Sequence, residues 1–218
     1  MTDMNAYDHV VVGSGTAAQV ASSRIRAALW SVAVIDHLPF GGTCALRGCD
    51  PKKMLISGAE AVDMAGRMGG RGVSGDARIN WRDLIAFKRT FTDPVPANQE
   101  RRYADQGIDA YHGTAQFTGP STIEVKGQTL QARHVLIATG ARPLPLGFPG
   151  AEHVITSDQF LELAELPARI VMVGGGYIAA EFSHIAARAG AKVTVLQRAD
   201  RMLARFEWCA ARRASPLA

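Results

Sequence analysis

The chain has 218 residues, 47% of them hydrophobic, and a formal charge of +4, enough to bury a core in one domain or two small ones. Its Lys and Arg are scattered among Asp and Glu, which argues against a nucleic-acid surface. No apolar run approaches the roughly 18 residues that span a bilayer, and Asp3 and Asp8 ahead of the first apolar segment are unlike a signal peptide, so a cytoplasmic location without membrane contact is expected.

An apolar strand, Val10-Val11-Val12, opens the chain and runs through Gly13-Ser14-Gly15 into a helical stretch, followed by a second apolar run, Val32 to Asp36. Next comes Gly41-Gly42-Thr43-Cys44-Ala45-Leu46-Arg47-Gly48-Cys49-Asp50-Pro51-Lys52-Lys53. In a cytoplasmic protein two cysteines this close are catalytic or metal-binding more readily than a structural disulfide. Pro51 to about Met68 reads as a helix broken by Gly69-Gly70-Arg71-Gly72, and Asn80 caps a second helical stretch continuing toward Gln106 despite Pro94 and Pro96. Short β segments are expected at Ile108–His112, Thr122–Val125 and Val135–Ala138, with Pro143, Pro145 and Pro149 marking a crossover.

The opening unit then recurs. Ile170 to Val173 leads through Gly174-Gly175-Gly176 into a helix, and Val193 to Gln197 follows; Asp36 lies 23 positions after Gly13, and Gln197 lies 23 after Gly174. Two such βαβ frames predict two dinucleotide sites, each with a glycine turn placing backbone N–H groups at a helix N-terminus against a pyrophosphate. Ala18 and Ala179, in the third slot, are small enough for close helix–strand packing. Asp36 can accept hydrogen bonds from an adenosine ribose. Gln197 replaces the acid in the second copy and Arg198 follows it, which suits a ribose 2′-phosphate and favours NADPH over NADH; Arg201 and Arg205 would add charge. Gly190, where the second copy's helix ends, is matched in the first by Leu29, a costly residue if the turn needs positive φ.

The motifs Gly-Gly-Thr-Cys-x4-Cys-x-Pro-Lys-Lys at 41–53, Ala-Thr-Gly at 138–140 and Gly-Gly-Gly-Tyr-Ile-Ala-x-Glu at 174–181 resemble those of the glutathione-reductase-like, flavin-dependent pyridine nucleotide–disulfide oxidoreductases, over about residues 6 to 207. The resemblance implies FAD at the first site and a nicotinamide cofactor at the second. It makes Cys49, at a helix start, the sulfur nearest the flavin, its thiolate favoured by the helix dipole, and Cys44 the interchange thiol that attacks a small disulfide substrate. It pairs Lys52 with Glu181 beside the flavin, sets Tyr177 over the nicotinamide pocket, and lines the FAD with Gly13, Gly15, Asp36, Gly42, Thr43, Ala115, Thr139, Gly140 and Ser157. Gly174, Gly176, Tyr177, Arg198 and Arg205 would hold NADPH. No catalytic His-Pro pair occurs, and no zinc-like spacing suggests a metal.

The expected architecture is α/β, with two Rossmann-like βαβ units and a small β-rich insertion. Residues 1–147 are expected to form an incomplete FAD-binding domain, 148–207 the start of an NAD(P)H-binding domain, and 208–218 a tail. Relatives in this family are homodimers about twice as long, whose C-terminal dimerisation domain contributes a His-Glu dyad across the interface; that domain is expected to be absent here. A catalytically incomplete fragment acting as a flavin or thiol binding module is therefore the alternative. A soft-metal binder through Cys44 and Cys49 is a third reading, and Cys209 alone supplies no second cysteine pair.

Overall fold

The structure is a computed structural model that describes residues 5–204 and residue 206; Arg205, Cys209 and the expected tail lie outside the described residues. The chain forms two compact units, one made of the residues up to Pro51 with Thr90–Val154, the other of Lys52–Arg89 with the chain from Ile155 onward.

In the first unit, β1 (Asn5–Val12), α1 (Thr16–Ala27) and β2 (Val32–Asp36) make a βαβ frame. The chain passes through the short α2 (Gly42–Arg47), α3 (Cys49–Arg67), α4 (Trp81–Thr92) and α5 (Val95–Asp105) before β3 (Asp109–His112). Then β4 (Gln116–Gly119), β5 (Thr122–Val125) and β6 (Gln128–Ile137) complete a six-stranded sheet of order β3-β2-β1-β6-β5-β4. Strands β3, β2, β1 and β6 run parallel, and β6, β5 and β4 form an antiparallel meander. Where the central strands are buried on both faces they carry continuous apolar runs: Val10, Val11, Val34 and Ile35 are fully buried. One face packs Val10, Ala33 and Ile35 with Ile123 and Leu130; the other packs Val11, Val32 and Val34 with Ala18, Phe40 and Tyr103. Strand order reverses about β1, so a crevice opens at the carboxyl ends of β1, β2 and β6, where doubly wound sheets bind ligands.

The second unit is smaller. A capping box of Thr156 and Gln159 starts α6 (Ser157–Phe160), and β7 (Arg169–Val173), α7 (Tyr177–Arg188) and β8 (Lys192–Leu196) repeat the βαβ frame. Residues 52–89, expected within the first domain, belong to this unit because Leu55, Trp81 and Ile85 share a core with Phe160, Phe182 and Ile185. Trp81 Nε1 donates to the Leu163 carbonyl at 2.8 Å, and the fully buried Lys88 donates to the Leu161 carbonyl and pairs with Glu162. Strands β7 and β8 form a two-stranded parallel sheet whose alternate residues Val171, Val173 and Leu196 are 59%, 52% and 56% exposed. Among the described residues no helix is long and apolar enough to cross a membrane.

Three local expectations change. The helical stretch toward Gln106 is two helices, broken at Asp93-Pro94, with Pro96 accommodated in the first turn of α5. Strand β6 begins seven residues earlier than expected, and β4 was not anticipated, because both segments are polar and solvated on one face. Leu29 keeps the left-handed turn of its counterpart, with φ of 68° against 95° for Gly190. Each donates its N–H to the carbonyl three residues back, Arg26 and Ala187 respectively. Leu29 is 86% exposed, so its side chain contributes little burial to set against the backbone cost. Leu29→Gly should raise the stability of the first unit by about 0.5–1 kcal/mol, read as a higher urea midpoint at unchanged slope.

Candidate active site

The first glycine turn sits where β1 ends, against the end of β6. Gly13 has φ of 109°, and a Cβ there would lie 2.2 Å from the Ala138 carbonyl oxygen and 3.1 Å from the Thr139 nitrogen, so only glycine fits. Asp36, at the end of β2, accepts from the Ser14 N–H at 2.8 Å and the Ser14 hydroxyl at 2.6 Å through Oδ2, and from the Leu38 N–H at 3.0 Å through Oδ1. Its carboxylate therefore organises the turn as well as facing the position expected for a ribose. Gly113 donates to the Asp36 carbonyl at 2.9 Å, which brings the loop containing Ala115 to the same end of the sheet, with Thr139 and Gly140 following β6.

Two residues not singled out in the sequence join this turn to the cysteine loop. Ser14, fully buried, accepts the Gly41 N–H on its hydroxyl at 3.3 Å. Gln19 donates from Nε2 to the Ser14 carbonyl at 3.0 Å and the Gly41 carbonyl at 3.3 Å. The backbones meet so closely that a Cβ on Gly42 would lie 2.2 Å from the Gly15 Cα. Their only sequence signal is position: Ser14 fills the variable slot of the fingerprint, and Gln19 lies on the first turn of the following helix.

From this anchored turn, α2 carries Thr43 and Cys44, the chain breaks at Gly48, and α3 begins at Cys49. Both cysteines are free thiols, Cys49 exposed and Cys44 half-buried. The Cys44 thiol is pushed above its ordinary pKa, first by its hydrogen bond to the Cys49 side chain, then by burial and the charges of Cys49 and Asp50; the Cys49 backbone N–H opposes this weakly.

In the second unit, Lys52 Nζ donates to Glu181 Oε1 at 2.6 Å, uniting the pair expected from the sequence. Glu181 Oε2 is buried without a hydrogen-bond partner. The glycine turn repeats the first with one exchange: Gln197 Oε1 accepts the Gly175 N–H at 2.7 Å, as Asp36 does for Ser14. Gly174 and Gly176 border open space, Tyr177 is exposed on the first turn of α7, and Arg198 is exposed beside Gln197. Arg201 instead donates from Nη2 to the Ala204 carbonyl within its own loop. Ser157 also belongs to the second unit, at the start of α6, and Arg205 lies outside the described residues.

The glycine-turn helices fit a dinucleotide. Both α1 and α7 start from a glycine N-cap with no side-chain cap and no acid in the first turn, leaving their N–H groups and positive dipole ends for phosphate. No three His, Cys, Asp or Glu side chains among the described residues group to cage a metal.

Comparison with known proteins agrees with this arrangement. The chain is 36% identical over 203 residues to glutathione reductase of Burkholderia cepacia, covering 92% of the chain and 45% of that protein. It is 33% identical to dihydrolipoyl dehydrogenase of Mycoplasma pneumoniae, covering 92% of the chain and 46% of the relative. The chain thus spans about half the length of the curated relatives it matches. Among solved structures, the Cu(II) complex of the HOCl-induced flavoprotein disulfide reductase RclA from Escherichia coli superimposes with a TM-score of 0.84 at 28% identity, over 97% of this chain and 46% of that one. The family model for pyridine nucleotide-disulphide oxidoreductases matches residues 7–215, and the chain belongs to that family.

Proposed function

We propose that this chain carries the flavin half and the beginning of the nicotinamide half of an FAD-dependent NADPH:disulfide oxidoreductase, passing electrons to Cys44 and Cys49 and on to a small disulfide. The observation that carries this reading is the pair of free thiols, Cys44 on α2 and Cys49 at the start of α3, on a loop clasped to the first fingerprint turn by Ser14 and Gln19. FAD, when bound, supplies a two-electron relay between a nicotinamide hydride and a disulfide. Gly13, Gly15 and Gly42 let the backbone close up around the start of α1, whose free N–H groups are the proposed pyrophosphate contact, with Asp36, Thr43, Ala115, Thr139 and Gly140 as the remaining proposed contacts.

The protein's own steps follow from its sulfurs. Deprotonated Cys44 attacks a substrate disulfide and releases one thiol. Cys49 then attacks Cys44 in the resulting mixed disulfide, releases the second thiol and closes the Cys44–Cys49 bond. Because Cys44 is held protonated by its hydrogen bond to Cys49, the first step calls for a base. The family resemblance assigns that base to a histidine beyond the span of this chain. Lys52 and Glu181 act as a charged pair, with the unpartnered Glu181 Oε2 the proposed acceptor for the nicotinamide carboxamide once the pair shifts to admit it. Gln197 shapes the second turn without adding negative charge, and Arg198 is the proposed 2′-phosphate contact.

A second reading, a flavin or thiol binding module without turnover, is favoured by the raised pKa of Cys44, which disfavours the attacking thiolate. A visible absorption spectrum after FAD reconstitution and desalting, repeated with NADPH under argon, separates the two. Retained flavin that NADPH bleaches supports the oxidoreductase reading; retained flavin that NADPH leaves unchanged supports the module, and a colourless preparation rejects both.

Two variants test the residue roles. In Cys49→Ala, loss of the hydrogen bond and neighbouring charge should move the midpoint of Cys44 alkylation to lower pH, because those influences raise its pKa; an unchanged midpoint contradicts the arrangement. Arg198→Glu should weaken NADPH binding about tenfold, roughly 1.4 kcal/mol, while NADH binding changes little. Equal loss for both cofactors removes Arg198 from the phosphate site.

A further inference from the structure

Midway along β1, two histidines meet across the sheet. His9 of β1 is the register partner of His134 of β6, and their rings lie 6.0 Å apart at an interplanar angle of 31°. Trp30, just beyond α1, stacks on His134 at 5.4 Å and 18° and lies 6.5 Å from His9. The Arg133 guanidinium sits over the indole at 5.8 Å. Both ring nitrogens of His9 are shielded from water and have no hydrogen-bond partner. A buried polar group left in that state is uncommon and costs stability.

We infer that His9 and His134 form a two-imidazole clamp for a late first-row divalent cation, with water completing the coordination shell. Metal–nitrogen bonds of about 2.0–2.1 Å place two imidazole centroids about 5 Å apart around a tetrahedral ion, and about 6 Å apart as the angle opens. The observed separation falls at the open end of that span, so a small rotation of the exposed His134 ring closes the site. Imidazole donors select nickel, copper and zinc over magnesium and calcium. With only two protein ligands the ion exchanges freely, and the positive charge of Arg133 holds the affinity down. Asp8 offsets part of that charge, although the Ser31 N–H and hydroxyl already occupy its Oδ2. A bound ion gives a His9 nitrogen its missing partner and ties β1 to β6, so binding should also stabilise the first unit.

The test is a Ni(II) titration of the untagged chain, with its thiols capped by iodoacetamide, followed by tryptophan fluorescence and calorimetry. The expected result is one saturable equivalent that quenches Trp30 and is weakened at least about tenfold in His134→Gln, whose site is at the surface. Trp30→Phe should lose most of the quenching while retaining calorimetric binding. Equal affinity in wild type and His134→Gln overturns the inference, as does no saturable binding by about 1 mM nickel.

Discussion

The contact between Gly15 and Gly42 is the constraint on which the rest of the first unit depends. Two backbone turns approach until no side chain fits between them, and the Ser14 hydroxyl fills the remaining polar demand by donating to Asp36 and accepting from Gly41. One hydroxyl thereby connects the end of β2, the fingerprint turn and the loop bearing the thiols. Cys44 and Cys49 are positioned by the same atoms that shape the first glycine turn, with no dedicated scaffold of their own.

The two βαβ frames reach the same turn with different chemistry. Asp36 and Gln197 both accept a backbone N–H from the residue after the first glycine, at 2.8 and 2.7 Å. A side-chain oxygen at that place is thus a requirement of the turn, whereas its charge is free to vary. Exchanging carboxylate for carboxamide preserves the backbone geometry while removing a negative charge from the neighbourhood of Arg198. Local charge and turn geometry are separable here because they use different properties of one side chain.

Much of the fold was legible because it rests on local rules. The glycine turns, the apolar strands flanking them, the helix opening at Cys49 and the Asn80 cap, which accepts the Asp83 N–H at 3.4 Å, all follow from residues close in sequence. So does the Lys52–Glu181 pairing, given the family resemblance. The Ser14–Gly41 clasp was not legible, since it joins residues 27 positions apart through a hydroxyl that ordinarily faces water. The shared core of residues 52–89 with the second unit was not legible for a related reason: helix periodicity marks Leu55, Trp81 and Ile85 as candidates for burial, but not against what. Leu29 marks the limit of reading conformation from composition, for the turn held its handedness and the side chain yielded.

The half-covered sheet of β7 and β8 has a practical consequence. Val171, Val173 and Leu196 present a flat β-branched and aliphatic face to water, on a sheet whose two strands both remain edges. Such a surface gains by meeting its own kind. Colloidal behaviour then depends on encounters between molecules, which rise with the square of concentration, while unfolding of a single molecule does not. Dilution disfavours such encounters between exposed β7–β8 faces without altering the folding of a single chain.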